Sequence, residues 1–357
     1  MRSRSADSFA IKRGKNVLSS PRVSVVMPAY NAARFIPFAI RSVEDQTFAG
    51  HELIVVNDGS PDTEQLKAAL APFFDDIVYV EQANLGAGPA RNRAISLARS
   101  ELIAFLDADD EWLPEFLAHQ ISMIDGGWDM VYADAELFGD AAPSDHTFME
   151  SAPSSGEVTT SSLLDFRCNV ITSGTVAKKA AIIAAGAFEK EDTRAQDFHL
   201  WIRMAKAGSR IGYSDKVLLR YRVHTENLSG DSISRVEREI AVFQRVKKTV
   251  NLSPEELSIL ERQLASLRVD LEIEKGKSHL MNRDFAAARD AFSHASAWRP
   301  SAKLKAVCLA ARFAPSLLLR IYRSKHSDHL GLIRNEAAAS SWTAFSVISA
   351  LLRLFSE

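Results

Sequence analysis

Between residues 23 and 106 four β-branched or apolar runs alternate with stretches of helical character, and this alternation constrains the 357-residue chain more than any other feature. The runs are 23–27, 52–56, 77–80 and 102–106; helices are expected over 32–45, over 62–73 and from Pro89. Such a pattern predicts a largely parallel sheet with helices on its faces, because a parallel strand pair needs a crossover of a dozen residues or more. Pro28 breaks the first run, and the segment from Asn57 to Pro61 turns the chain after the second. Farther on, helices are expected over 179–185 and 195–207 with a short strand at 216–219, while the Ala-, Pro-, Ser- and Asp-rich stretch 139–156 reads as a loop or lid.

After Asp231 the chain turns to helix alone. Ser253, Pro254, Glu255 and Glu256 form a capping box with proline at the first helical position, followed by leucines at 257, 260, 264, 267 and 271, which suits a helical hairpin. The helix expected over 283–298 resembles a single tetratricopeptide-like unit, and one unit does not make a solenoid, so a packed helical appendage is the favoured reading. The expected organisation is a basic, flexible N-terminal segment (1–21), an α/β domain (22–230) and a helical C-terminal region (231–357), for which a membrane, a partner or the α/β domain itself stays open as the surface it binds.

The net charge of −2 argues against a nucleic-acid binder, which needs a basic field to neutralise phosphates. Charge is nevertheless uneven: six basic residues face one acid before Val23, and nine face three from Trp298 onward. Both ends suit either solvated tails or attraction to an anionic membrane surface. Trp342, Phe345, Ile348, Leu352 and Phe355 recur at helical spacing and suit a membrane surface or packing on protein, but 337–352 holds four serines and a threonine, too polar to span a bilayer. Two cysteines, Cys168 and Cys308, exclude a disulfide framework, and the first twenty residues have no continuous apolar run of a signal peptide, so a cytoplasmic location is expected.

Chemistry concentrates after the fourth run, where Asp107, Asp109 and Asp110 put three carboxylates within four residues. Crowded like charges are costly unless a cation or a solvated cleft relieves them, and oxygen donors of this kind suit Mg²⁺ or Mn²⁺ bridging to phosphates. An acidic loop opening a helix is the alternative. Gly86, Gly88 and Asp107 imitate a dinucleotide fingerprint, but Arg91 stands where its third glycine belongs. Pro28, Tyr30 and Asn31 after the first run and Asp58 after the second fall, like Asp107, at strand ends, where open α/β sheets bind ligands. A base could stack on Tyr30, an imide could donate to Asp58, and Arg91 could bond a base carbonyl or phosphate; turn chemistry and surface ion pairing are the bland alternatives.

In order and spacing these elements, with Gln196, Asp197 and Trp201 and then Tyr221 to His224, resemble the family 2 glycosyltransferases over about 22–230. The resemblance implies a GT-A fold, a mixed and mostly parallel Rossmann-like sheet, and an inverting, metal-dependent transferase that uses Mn²⁺ or Mg²⁺. It further implies that Pro28, Tyr30, Asn31, Asp58, Arg91 and Asp107 hold the nucleotide, that Asp109 and His224 hold the metal around an Asp-Ala-Asp (DxD) motif, and that Asp197 is the general base. Ser173, Gly174, Gln196 and Trp201 would line the sugar or acceptor pocket. Many relatives have Glu where Gln196 stands, which bears on the acceptor. The implied partners are a nucleotide-diphosphate sugar, UDP-linked by preference, and a saccharide or lipid-linked acceptor of cell-surface polysaccharide assembly; peripheral membrane contact and homo-oligomerisation stay open. A sugar nucleotidyltransferase would need a glycine-rich loop where Pro28 to Asn31 stand, and intact Asp58, Asp107, Asp109 and Asp197 speak against a degenerate binding module.

Overall fold

A computed structural model describes residues 11–140, 142, 146–189, 196–223 and 232–328. Their order is β1 (Ile11–Arg13), β2 (Val23–Ala29), α1 (Ile36–Glu44), β3 (His51–Asp58), α2 (Thr63–Leu70), β4 (Ile77–Gln82), α3 (Ala87–Leu97), β5 (Leu102–Phe105), β6 (Glu111–Trp112), α4 (Phe116–Asp125) and β7 (Met130–Phe138). There follow α5 (Phe148–Ser151), α6 (Thr160–Leu164), β8 (Thr175–Lys178), α7 (Lys179–Ala184), α8 (Gln196–Lys206) and β9 (Ile211–Arg222). Helices α9 (Ser232–Thr249), α10 (Pro254–Met281), α11 (Phe285–Trp298), α12 (Ala302–Phe313) and α13 (Pro315–Asp328) close the described chain.

Among the described residues nine strands form one mixed sheet in the order β1-β4-β3-β2-β5-β8-β7-β9-β6. Strands β4, β3, β2 and β5 are mutually parallel, as their alternation with helices dictates. Val23, Val25, Val26 and Met27 of β2 are all fully buried, the mark of a strand covered on both faces. Helix α1 opens with a proline in its first turn and lays Ile36, Ala39, Ile40 and Val43 against the sheet at helical spacing.

Strands β1, β6, β7 and β8 are additions to the pattern legible in the sequence. Strand β1 lies inside the N-terminal segment expected to be flexible, where it pairs antiparallel with the edge of β4. Strand β9 extends over Ile211–Arg222 instead of 216–219, because it pairs in parallel along the whole of β7. The stretch 139–156 contains one helical turn, α5, whose N-cap Thr147 and Glu150 close a capping box.

The described residues up to 223 and residues 241–260 make one compact unit, and 232–240 with 261–328 make a second, so beyond the boundary expected at 230 the chain returns to the first unit before leaving it again after 260. In the first unit the cause is visible in the second half of α9. Phe243 is fully buried and stacks on Phe198 at 5.5 Å and against Phe166 at 5.5 Å. Arg245 pairs with Glu189 at 2.9 Å, and Thr249 meets the His199 ring at 2.9 Å. The capping box at Ser253 is formed, with Ser253 N–H on Glu256 and Glu256 N–H on Ser253 Oγ. In the second unit Leu280, Ala288, Phe292, Leu304, Val307 and Leu318 belong to one apolar core. The aromatic stripe from Trp342 to Phe355 lies outside the described residues.

Candidate active site

The parallel strands deliver their polar ends to one edge of the sheet. After β2 the chain passes through Asn31 in the left-handed region (φ 51°), a conformation asparagine tolerates, and its N–H donates to Ser60 Oγ at 2.7 Å. Tyr30 beside it is half exposed, so an aromatic face is offered to solvent at this edge. Asp58 ends β3 and is buried. Its Oδ1 accepts from Gln82 Nε2 at 2.7 Å and Leu85 N–H at 2.9 Å, and its Oδ2 accepts from Gly86 N–H at 2.8 Å. Three donors on about four lone-pair positions leave one acceptor position open, on Oδ2. Gly86 has φ 93°, which a side chain would resist, and this conformation brings its N–H onto Asp58 before α3 begins.

Beyond β5, Asp107, Asp109 and Asp110 crowd together. Asp107 pairs with the buried Arg91 guanidinium, and its N–H donates to Ser173 Oγ at 3.1 Å. Asp110 is almost wholly buried, accepting from Ser173 Oγ at 2.5 Å and from Arg222 N–H at 2.8 Å. Burial first, then the charges of Asp109 and Asp107, push its carboxyl well above the ordinary range. Burial pulls the Arg91 guanidinium down, but the carboxylates of Asp107, Asp197 and Asp109 more than reverse it, so it stays a cation. Tyr221 of β9 is pushed strongly upward by burial and then by Asp110, Asp109, Asp107 and Asp197, and it remains a neutral phenol. Three carboxylates therefore act on one guanidinium, and the same three with Asp110 act on one phenol.

Asp197 enters this group from the first turn of α8. Its Oδ2 accepts from Thr172 Oγ1 at 2.6 Å and its Oδ1 from Phe198 N–H at 2.8 Å. Gln196 before it is buried with both amide atoms lacking a partner among the described residues. The reason for Gly88 follows: a Cβ there would stand 1.4 Å from Gln196 Oε1. The second glycine of the apparent dinucleotide fingerprint thus makes room for Gln196.

Some expected site residues lie elsewhere. Trp201 is 1% exposed and packs edge-on against Phe105 and Phe188, a core position that cannot line a sugar pocket. Ser173 is also buried, and it braces the Asp107–Asp110 loop from beneath; the tight approach of Ile171 and the Ala133 carbonyl to Gly174 is a packing demand. Pro28 is inside β2, in register with Val56. His224 lies outside the described residues. Thr172, Asp110 and Tyr221 carried no assigned role in the sequence, although the Tyr221-Arg222 pair and the Thr172-Ser173 run were visible there.

Among the described residues no three His, Cys, Asp or Glu side chains gather in the manner of a metal cage. The donor set that is present, Asp109 beside an Asp107 already engaged by Arg91, fits a cation of another kind. Mg²⁺ and Mn²⁺ are commonly held by one or two carboxylates, with substrate phosphates completing the shell.

The family model "Glycosyl transferase family 2" matches residues 24–169. The amylovoran biosynthesis glycosyltransferase AmsB of Erwinia amylovora is 30% identical over 57% of this chain and 70% of its own length. WfgD of Escherichia coli, described as a UDP-Glc:alpha-D-GlcNAc-diphosphoundecaprenol beta-1,3-glucosyltransferase, is 27% identical over 61% of this chain and 83% of its own. Staphylococcus aureus TarS in complex with UDP-GlcNAc superposes with a TM-score of 0.53 at 20% identity, covering 86% of this chain and 89% of that one. The mannosyltransferase PcManGT of Pyrobaculum calidifontis, in complex with GDP-Man and Mn²⁺, gives 0.58 at 19%, covering 94% and 88%. Strand-end carboxylates, sheet order and sequence likeness agree: the chain belongs to glycosyl transferase family 2, carries the GT-A fold, and is a glycosyltransferase.

Proposed function

We propose that the protein is a metal-dependent, inverting transferase that moves a sugar from a UDP-sugar to a saccharide or lipid-linked acceptor in cell-surface polysaccharide assembly. The observation that carries the proposal is the meeting of Asp197 with Asp107 and Asp109 around Arg91, since all three carboxylates act on that guanidinium. A UDP donor is supported by the UDP-Glc for which WfgD is named and by the ligand of TarS; a lipid-linked acceptor is supported by the diphosphoundecaprenol acceptor of WfgD. AmsB, named for amylovoran biosynthesis, supports the polysaccharide setting. A cytoplasmic location belongs to the same proposal; no described helix is long and apolar enough to cross a membrane.

In this reading the base stacks on exposed Tyr30 and its imide N–H donates to the open position of Asp58 Oδ2. Asp197, its carboxylate fixed by Thr172 and by Phe198 N–H, takes the proton of the acceptor hydroxyl. The hydroxyl oxygen bonds the anomeric carbon from the face opposite the diphosphate, the bond from that carbon to the diphosphate oxygen breaks, and the configuration inverts. A positioned base of this kind contributes about 10²–10⁴-fold. Asp109 and Asp107 are the residues that would hold a divalent cation, which neutralises charge on the departing diphosphate when bound. Arg91 keeps Asp107 oriented, and Ser173 fixes the backbone of the same loop.

Thermal unfolding against UDP, GDP, CDP and dTDP, each with and without Mn²⁺, tests the donor and the metal together. A ligand at 100 times its dissociation constant stabilises by about 2.7 kcal/mol. A shift with UDP that requires Mn²⁺ is the expected result; an equal shift without the cation removes the metal, and a shift with GDP alone reassigns the donor.

A further inference from the structure

The second unit keeps large apolar side chains in water although its own core is filled. Along α12 and α13, Leu304, Val307, Ala311, Leu318, Leu319 and Tyr322 point inward and are buried. Outside, Leu309 is 59% exposed, Phe313 73% and Leu317 42%. Leu309 and Phe313 lie one turn apart on the same face of α12, and Leu317 follows in the first turn of α13, just past the corner at Ala314. Apolar side chains grouped on a surface in this way mark an interaction site.

The charges along this stretch of the chain are of one sign. No Asp or Glu occurs between Asp290 and Asp328, while seven lysines and arginines do. Lys305 stands one turn before Leu309, Arg312 adjoins Phe313, and Arg320 follows Leu317 by three residues; all three are exposed. Basic side chains with long apolar stems bordering Leu and Phe are the composition of a helix that lies in a membrane interface, its rings and branches among the acyl chains and its cations at the headgroups.

We infer that the outward face of α12 and α13, centred on Leu309, Phe313 and Leu317 and bordered by Lys305, Arg312 and Arg320, docks on an anionic lipid bilayer. An acidic protein would satisfy the cations, but a stretch without acids between Asp290 and Asp328 and its outward apolar side chains fit a headgroup layer over hydrocarbon. The inference deepens the lipid-linked acceptor named above, since it holds the enzyme on the surface where such an acceptor resides. Its test involves no catalysis, so the two can fail separately.

The full chain is to be sedimented with vesicles of phosphatidylcholine alone and with vesicles that also contain phosphatidylglycerol, at low and high salt, beside Leu309→Ser/Phe313→Ser and Lys305→Gln/Arg320→Gln variants. Expected are binding to the anionic vesicles only, weakening with salt, and at least tenfold weaker partition for both variants with unchanged unfolding temperature and UDP response. Failure of the unaltered chain to bind anionic vesicles overturns the inference, as does undiminished binding by the Ser variant. A lipid-free dimer that the Ser variant abolishes would also overturn it, assigning the face to a second copy of the chain. Lost UDP response in the unaltered chain, with vesicle binding intact, would strike the transferase reading alone.

Discussion

The two edges of the parallel strands both carry buried charge and treat it in opposite ways. At the N-terminal edge Glu52 is fully buried, and every donor it meets is complementary: Arg13 at 3.1 Å, the Arg99 guanidinium at 3.0 Å, Arg99 N–H at 2.8 Å and Ser24 Oγ at 2.7 Å. At the C-terminal edge Asp107, Asp109 and Asp197 share Arg91, Asp110 is pushed toward its protonated form, and the Gln196 amide has no partner among the described residues. The first edge closes a structure. The second holds like charges together at a cost that a bound cation and diphosphate would relieve, as functional sites do.

The contrast can be broken most severely through Asp197. Asp197→Asn should lower transfer by about 10²–10⁴-fold while leaving UDP-dependent stabilisation intact, because it removes a proton acceptor and no nucleotide contact; a fully active variant would end its role as base. Next in size, Glu52→Gln should cost about 3 kcal/mol of stability, the lower end for breaking a buried pair because Arg13 and Arg99 keep partial access to water, with transfer unchanged well below the melting temperature. Denaturant unfolding gives this number directly.

Asp109→Asn sharpens the comparison from the other side. Relief of like-charge repulsion should leave the unfolding temperature equal or higher, while the Mn²⁺-linked response to UDP disappears; a marked fall in melting temperature would make the cluster structural. An effect confined to acid belongs to His199, buried in α8 between Thr249 and Glu189. Burial first, then Arg203 and Arg245, lower its pKa from 6.5 to about 4 against the opposing pull of Glu189. Below pH 6.5 the unfolded chain gains a proton there that the folded chain refuses until about pH 4, so stability is full above 6.5 and declines as pH falls toward 4. Melting curves across this window should be flatter for His199→Gln.

Much of the catalytic half was legible because its signals are local. The runs 23–27, 52–56, 77–80 and 102–106 became β2, β3, β4 and β5, and Asp58 and Asp107 fall at or just beyond their ends. Strands β7 and β8 were not, since their pairing with β9 and β5 joins distant segments with no periodic signature of their own. Trp201 shows the limit for single residues: its place in the motif suggested a pocket, and the packing of Phe105 and Phe188 made it core.

Alternation of apolar runs and helices, the order of the acidic turns and the one-sided charge beyond Asp290 were fixed by the amino-acid sequence, because period, spacing and charge are properties of neighbouring residues. That Asp197 comes near enough to act on Arg91, that Gly88 exists for Gln196, and that α9 belongs half to the catalytic unit were decided by the tertiary structure, because these depend on which distant surfaces share space.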